Sequence, residues 1–350
     1  LNFYYFPELT PLDETVWNIV FFWLANKMYA IFSLLFGFSF FVQHDNQAQK
    51  GKDFRPRFLW RMVLLALWGI FDLLFYNGDI LLVYAVCSLF VIPLIRQSNK
   101  VLFVAAIFFA LQPIELLYIV LGLLNPELTP LYLGSNEDFG AIMPQQINGS
   151  FFDVAWVGLK HGIPVNFTWA IENGRFTQTI FLFIAGILLG RYRYLYDEGN
   201  NRLHWKKTML YSLIGFAVFY PLYTYVPGTI DNVCVSHSLG IMLKAWMNLS
   251  MMLFYVSGIT WLYYCTKAGK KLIVIAPYGK MSLTNYMTQS IFGAMLFYGW
   301  GFGLYQYCGH TESLLLGIAF VGLQYLFCCW WLKNHKRGPF EELWRKATWI

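Results

Sequence analysis

Charged residues are scarce in this chain of 350 residues: Asp, Glu, Lys and Arg make up 13% of it, about half the share usual in a soluble globular domain. The few charges fall between long apolar stretches rather than within them, which argues against a water-soluble core of this size. Other features are absent too. The six cysteines include no C-x-x-C pair, and there is no metal motif, phosphate-binding loop or dinucleotide fingerprint. The alternating ten-residue segments of a transmembrane β-barrel are missing. No fixed-period repeat, low-complexity tract or leader pattern is visible. The chain opens Leu1-Asn2-Phe3-Tyr4-Tyr5, and the expectation is that it starts inside a longer protein.

What the chain does hold is apolar: 58% hydrophobic and 20% aromatic. Several stretches reach the roughly 20 residues needed to cross about 30 Å of hydrocarbon as a helix, the form in which a chain satisfies its own backbone in lipid. The sequence predicts an all-α, polytopic transmembrane helical bundle. An interfacial helix over 12–25 comes first. About nine spans follow, near 26–43, 58–75, 79–95, 101–123, 176–191, 207–226, 239–263, 282–302 and 313–332. Three regions result: N-terminal transmembrane helices (1–123), a long extracytoplasmic loop or cap (124–175) and a C-terminal transmembrane domain (176–350). The loop contains two glycosylation-type triplets, Asn148-Gly149-Ser150 and Asn166-Phe167-Thr168.

The net charge of +6 does not point to nucleic acid, because its distribution is one-sided. All 25 Lys and Arg residues except Lys27, Lys160, Arg175 and Lys244 lie in or beside the connectors 44–57, 96–100, 192–206, 264–281 and 333–350. The orientation bias of membrane proteins puts those connectors in the cytoplasm, with the C-terminus, and places the chain in the cytoplasmic (inner) membrane. Glu8, Asp13, Glu14, Glu127, Glu137, Asp138, Asp153, Glu172, Asp231 and Glu312 gather on the other side.

Charge inside a span is costly and marks candidates for function. Asp72 sits in the second span. Asp79 follows the tight Asn77-Gly78 turn, where it either caps the third helix or faces a pocket. Lys27 and Lys244 either snorkel to the surface or meet an anion. Arg175 either pairs with Glu172 or binds a carboxylate, phosphate or carbonyl, and Gln178 shares its helical face. His161, His237 and His310 are each a surface histidine or a general base. Cys87, Cys265, Cys328 and Cys329 read as packing residues, and a disulfide between Cys234 and Cys308 is open. Gly37, Gly186 and Gly190 fit close helix packing. Ser282 is a predicted N-cap for the eighth span, and Asn285 and Gln289 share a face that can bond to another helix. Pro339 starts a short amphipathic helix carrying Trp344 and Arg345, placed to lie on the inner membrane face.

The runs Gly-Lys-Met-Ser-Leu-Thr-Asn-Tyr-Met-Thr-Gln-Ser (279–290), Gly-Pro-Phe-Glu-Glu-Leu-Trp-Arg-Lys-Ala-Thr (338–348), the block 172–192 and Tyr-Ala-Ile-Phe-Ser-Leu-Leu-Phe-Gly-Phe-Ser-Phe-Phe (29–41) resemble the YeiB-like family of bacterial membrane proteins, defined by domain of unknown function 418. The resemblance covers nearly the whole chain. It implies a distant relation to membrane acyltransferases, hence transfer of an acyl group from a cytoplasmic acyl-CoA-type donor to an extracytoplasmic or lipid-linked acceptor, often a sugar. It also implies one further N-terminal helix, for about ten spans, carrying an Asp-x-x-Arg-Gly motif and a catalytic histidine before residue 1. On that reading Asp79, Arg175, Gln178, Lys244 and Glu172 serve the acceptor side. Asn285, Tyr286 and Gln289 lie on the donor path, and Arg191 meets the donor's phosphates. No bound cofactor is expected; acyl-CoA is a co-substrate and membrane lipids are partners. The alternative is a transporter or lipid-handling protein without covalent chemistry.

Overall fold

The computed structural model describes residues 8–349, and among them every regular element is helical. In chain order the helices are α1 (Pro11–Trp23), α2 (Met28–Ala48), α3 (Arg55–Asp72), α4 (Leu81–Val91), α5 (Asn99–Ala110), α6 (Pro113–Leu124), α7 (Ser135–Asn148), α8 (Phe151–Val157), α9 (Ile163–Glu172), α10 (Arg175–Arg191), α11 (Asn201–Tyr225), α12 (Val233–Cys265), α13 (Lys267–Lys270), α14 (Ala276–Lys280), α15 (Ser282–Phe297), α16 (His310–Trp331) and α17 (Pro339–Thr348). Short 3-10 turns and one π turn, Gly158–Gly162, join some of them.

The connectors sort to two ends. At one end Asp53 pairs with Arg96 at 3.1 Å, and Arg191 donates to Ile95 O and Gln97 O. Tyr264 donates to Leu195 O at 2.6 Å, and Arg57 donates to Thr348 O at 2.6 Å. Connectors rich in Lys and Arg therefore touch one another. At the opposite end Thr311 N donates to Asp13 at 2.8 Å, Gly299 N to Gln146 O at 2.9 Å, and Asn232 to Gly122 O at 2.8 Å. Each long segment runs from one end to the other.

Four stretches are long and apolar enough to cross a membrane by length and composition: Pro11–Ala48, Asn201–Thr229, Val233–Cys265 and His310–Trp331. The pair Asn99–Ala110 and Pro113–Leu124 makes a fifth if its 50° bend is one broken span. This is fewer than the nine expected, and the reason is physical. α3 carries Arg55, Arg57, Arg61 and Asp72 within 18 residues, α10 has 17 residues and α15 has 16. The helix expected over 101–123 breaks because Gln112 takes a left-handed backbone (φ 55°) ahead of Pro113, a position where proline disfavours the helical conformation of its predecessor. The 124–175 region is largely helical, as α7, α8, the π turn and α9.

α10 is the central element. Thr177 through Gly190 include eleven buried residues, and α10 meets α2 through paired glycines. A Cβ on Gly37 would sit 2.1 Å from Phe183 O, and one on Gly186 would sit 2.1 Å from Leu34 O. Only glycine lets the backbones approach so closely.

α17 is the amphipathic helix expected after Pro339, and it lies against the start of α3. The Arg61 guanidinium stacks 4.5 Å over Trp344, Arg57 lies 4.5 Å over Trp349, and Trp60 donates to Ala347 O. Ser282 is not the expected N-cap; it is the first helical residue of α15, and no side chain caps that start from Met281. Glu341 of α17 does the work instead, accepting from Thr284 N at 2.9 Å and Thr284 Oγ1 at 2.6 Å. A carboxylate there satisfies an orphan donor and opposes the positive end of the helix dipole.

Candidate functional site

Two carboxylates from the α3–α4 hairpin are buried side by side against α15. Asp72 ends α3 and is fully buried; Asp79 is 2% exposed. Asp79 Oδ2 accepts from Leu82 N at 3.1 Å and so caps the first turn of α4. The same oxygen lies over Gly69, where any Cβ would come within 2.7 Å of it. Glycine at 69, one turn before Asp72, therefore opens the space that Asp79 occupies. Asp79 Oδ1 accepts from the Tyr286 hydroxyl at 2.8 Å. One turn further along α15, Ser290 Oγ donates to Asp72 Oδ2 at 3.0 Å. Tyr286 and Ser290 are i and i+4, so one face of α15 holds both carboxylates.

The centre is short of positive charge. No described Lys or Arg forms an ion pair with Asp72 or Asp79. Asp72 Oδ1 has no hydrogen-bond partner among the described residues, nor does either side-chain polar atom of buried Asn77. Two carboxylates enclosed together require a proton or a cation to be tolerated. The backbone around them is held firmly: the Asn166 amide, in the orientation that satisfies both its atoms, donates to Asn77 O at 2.9 Å and Asp79 O at 3.3 Å. Gly158 and Gly162 make room for the Asn77 side chain, since a Cβ on either would press its Oδ1.

The other residues singled out from sequence fall into separate groups. Arg175, at the start of α10, does not pair with Glu172. It donates to Asn26 Oδ1 and its guanidinium lies 4.8 Å from the Tyr29 ring and 4.1 Å from the Trp169 ring. Gln178 accepts from the Tyr29 hydroxyl and donates to Ala245 O at 3.2 Å. Glu172 turns away and accepts from Leu133 N and Ser135, pinning the segment before α7. Lys27 does not reach the surface: it is 2% exposed, and its ammonium donates to Phe22 O at 2.5 Å. Lys244 is exposed.

Tyr286 stands apart from Asn285 and Gln289. Asn285 donates to Tyr278 O, and Gln289 meets Tyr278 and Gln324. Gln324 of α16 in turn donates to Asn285 O and Thr288. One helix step is about 100°, so 285 and 289 face α16 while 286 and 290 face the α3–α4 hairpin. Arg191 spends its guanidinium on Ile95 O, Gln97 O and Asn99 Oδ1, bracing α10 against the turn before α5. Among the histidines, His161 Nδ1 lies 2.8 Å from Asp138 Oδ1. His310 is buried against Trp17 and its Nδ1 has no partner among the described residues. His237 is exposed. No disulfide joins Cys234 to Cys308 among the described residues.

Sequence reasoning flagged Asp72 and Asp79 but missed what joins them. Ser290 and Gly69 were the available signals: a hydroxyl four residues after a tyrosine, and a glycine three before an aspartate. It also missed Glu115, buried with Gln112 and Thr177 against left-handed Gly174. Among the described residues no cluster of three metal-ligating side chains is present.

The fold and this centre define the class: an all-helical protein with several helices of membrane-spanning length and composition, enclosing ionisable side chains. Residues 189–350 match the family described as "Protein of unknown function (DUF418)". The chain is 27% identical to the uncharacterized protein YxaH of Bacillus subtilis (strain 168), over 99% of this chain and 85% of that one. It is 27% identical to the uncharacterized protein YeiB of Escherichia coli (strain K12), over 99% and 88%. A 39.9 kDa protein in the amylase 3' region of Bacillus acidopullulyticus is 26% identical, over 98% and 85%. The C-terminal part of the chain thus matches the DUF418 family, and nearly its whole length is similar to YxaH and YeiB. No solved structure matches it significantly.

Proposed function

We propose that this protein is an acyltransferase embedded in the inner membrane, moving an acyl group from a cytoplasmic acyl-CoA-type donor to an extracytoplasmic or lipid-linked acceptor such as a sugar. In this reading the chain crosses the bilayer nine times, with its basic end and C-terminus in the cytoplasm. The short interior helices of 16–18 residues span roughly 24–27 Å at 1.5 Å per residue, enough where neighbouring helices surround them. The clustering of basic connectors at one end supports the orientation.

The observation that carries the reading is the Asp72–Ser290 and Asp79–Tyr286 pairing enclosed between the two ends. Asp72 has one oxygen committed and one open, so it is the interior group available to take the proton of an acceptor hydroxyl. As the acyl carbon bonds to that oxygen, the carbon–sulfur bond breaks and the thiolate leaves, gaining the proton in the end. Tyr286 and Ser290 hold the carboxylates in register. Arg175, Gln178 and Lys244 serve the acceptor from the opposite end, and Asn285 and Gln289 shape the α15–α16 wall. The test is transfer from radiolabelled acyl-CoA by the full-length protein in membranes. Acylated product that vanishes with Asp72→Asn is expected; neither transfer nor acyl-CoA binding sinks the reading.

A second reading is a transporter or lipid-handling protein, favoured by one observation: the buried carboxylates lack a cationic partner, as in proton- or cation-coupled pathways. Concentration-dependent, proton-driven uptake by reconstituted vesicles, without acyl transfer, selects it.

A further inference from the structure

At the basic end, the last turns of α2, the 49–54 turn, the start of α3 and Trp349 enclose an open cleft of about 490 Å³, within the usual range for a ligand site. Gln43, Gln47, Lys50, Phe54, Arg61 and Trp349 line it, and no Asp or Glu does. Two carboxylates on neighbouring turns already have partners: Asp53 has Arg55 and Arg96, and Asp45 accepts from Gln49 at the cleft's edge.

Arg61 is the unusual member. Its guanidinium carbon lies 4.5 Å from the centre of the Trp344 ring. Its Nε is enclosed and has no hydrogen-bond partner among the described residues. A guanidinium with an unpartnered N–H beside an aromatic ring is suited to an oxyanion acceptor, and arginine meets phosphate through such donors. Arg57, spent on Thr348 O and the Trp349 ring, holds the cleft wall instead. We propose that this cleft binds a phosphate-bearing anion, gripped by the edge of Arg61 and by Lys50, with the neighbouring amides completing its shell. The proposal stands on the cleft alone and does not require acyl transfer at the interior centre. Two sources carry the group: a soluble phosphate ester or diphosphate, and an anionic lipid headgroup.

The experiment uses the full chain in phosphatidylcholine nanodiscs and titrates pyrophosphate by calorimetry. Saturable binding is expected. Arg61→Gln weakens it by about tenfold, Lys50→Gln by several-fold, and Arg61→Lys recovers part of the loss. Lys100→Gln, at the same end but outside the cleft, leaves it unchanged. Because Lys50 is exposed, its variant tests the site even if Arg61→Gln disturbs α17. Repeating the titration in phosphatidylglycerol discs separates the sources. Binding abolished there assigns the site to the headgroup, and binding retained assigns it to soluble phosphate; both uphold it. Absence of saturable binding in phosphatidylcholine, or equal affinity in wild type, Arg61→Gln and Lys50→Gln, overturns it.

Discussion

α10 and α11 are consecutive helices with opposite surroundings. α10 has 17 residues and is buried along most of its length. α11 has 25 residues and buries only Asn201, Trp205 and Ser212. α11 faces outward along nearly its whole length, while the shorter α10 is enclosed by protein. In a lipid-dissolved bundle this follows directly. Helices facing hydrocarbon must be apolar around their circumference, whereas helices enclosed by protein can carry the charged and amide groups that do work. The apolar-length criterion passes over α3, α10 and α15, which hold Asp72, Arg175 and Tyr286.

The contrast can be broken most sharply with glycines. Gly186→Leu puts a side chain into the α2 backbone and is expected to cost about 3 kcal/mol or more, whereas Gly317→Leu in α16 meets nothing within 4 Å and should be near neutral. Thermal melts in detergent compare the two, and equal melting temperatures would dissolve the distinction between inner and outer helices. Leu213→Arg on α11, half exposed in isolation, should reduce membrane insertion by about 3 kcal/mol if that surface faces lipid; a glycosylation-reporter insertion assay measures it. Ser290→Ala leaves Asp72 without its remaining bond and should cost about 1–3 kcal/mol, and Tyr286→Phe should cost a similar amount. Adding Asp72→Leu to Ser290→Ala should recover stability, read by denaturation midpoints.

The smallest effect belongs to the solvated basic end. Asp53 is held down at about 2, first by its hydrogen bonds to Arg55 and then by the charge of Arg96. A depressed carboxylate stabilises above its ordinary value near 3.8 and loses that contribution as pH falls through the folded value. Asp53→Asn should therefore change stability by less than about 0.5 kcal/mol at pH 7, and any difference from wild type should close between about pH 4 and pH 2. Melts across that range check it.

Much of the scaffold was legible beforehand. The alternation of apolar stretches and basic connectors foretold both the helices and the sorting of their ends, because hydropathy and loop charge are local properties. Gly37 and Gly186 declared a close helix contact, and Pro339 declared the start of α17. The site was legible only in parts. Asp79 read as a cap or a pocket residue and acts as the cap of α4 while also bonding to α15. Arg175 read either as a pair for Glu172 or as a binding group, and the pair does not form: each took a partner far along the chain. Ser282 read as the cap of α15, but Glu341, 57 residues beyond the Thr284 N–H it accepts from, supplies one.

The sequence by itself determined that the chain is all-helical and which basic connectors share an end, since each depends on local hydropathy and charge; it did not foresee the break at Gln112 or the helices of 135–172. Tertiary structure decided which carboxylate meets which hydroxyl, that Tyr286 turns toward the α3–α4 hairpin while Asn285 turns toward α16, and that Arg61 lies over Trp344 with its enclosed Nε unpartnered among the described residues. Those contacts join segments from 39 to more than 200 positions apart, and helix rotation and packing fix them with no signature at either position alone.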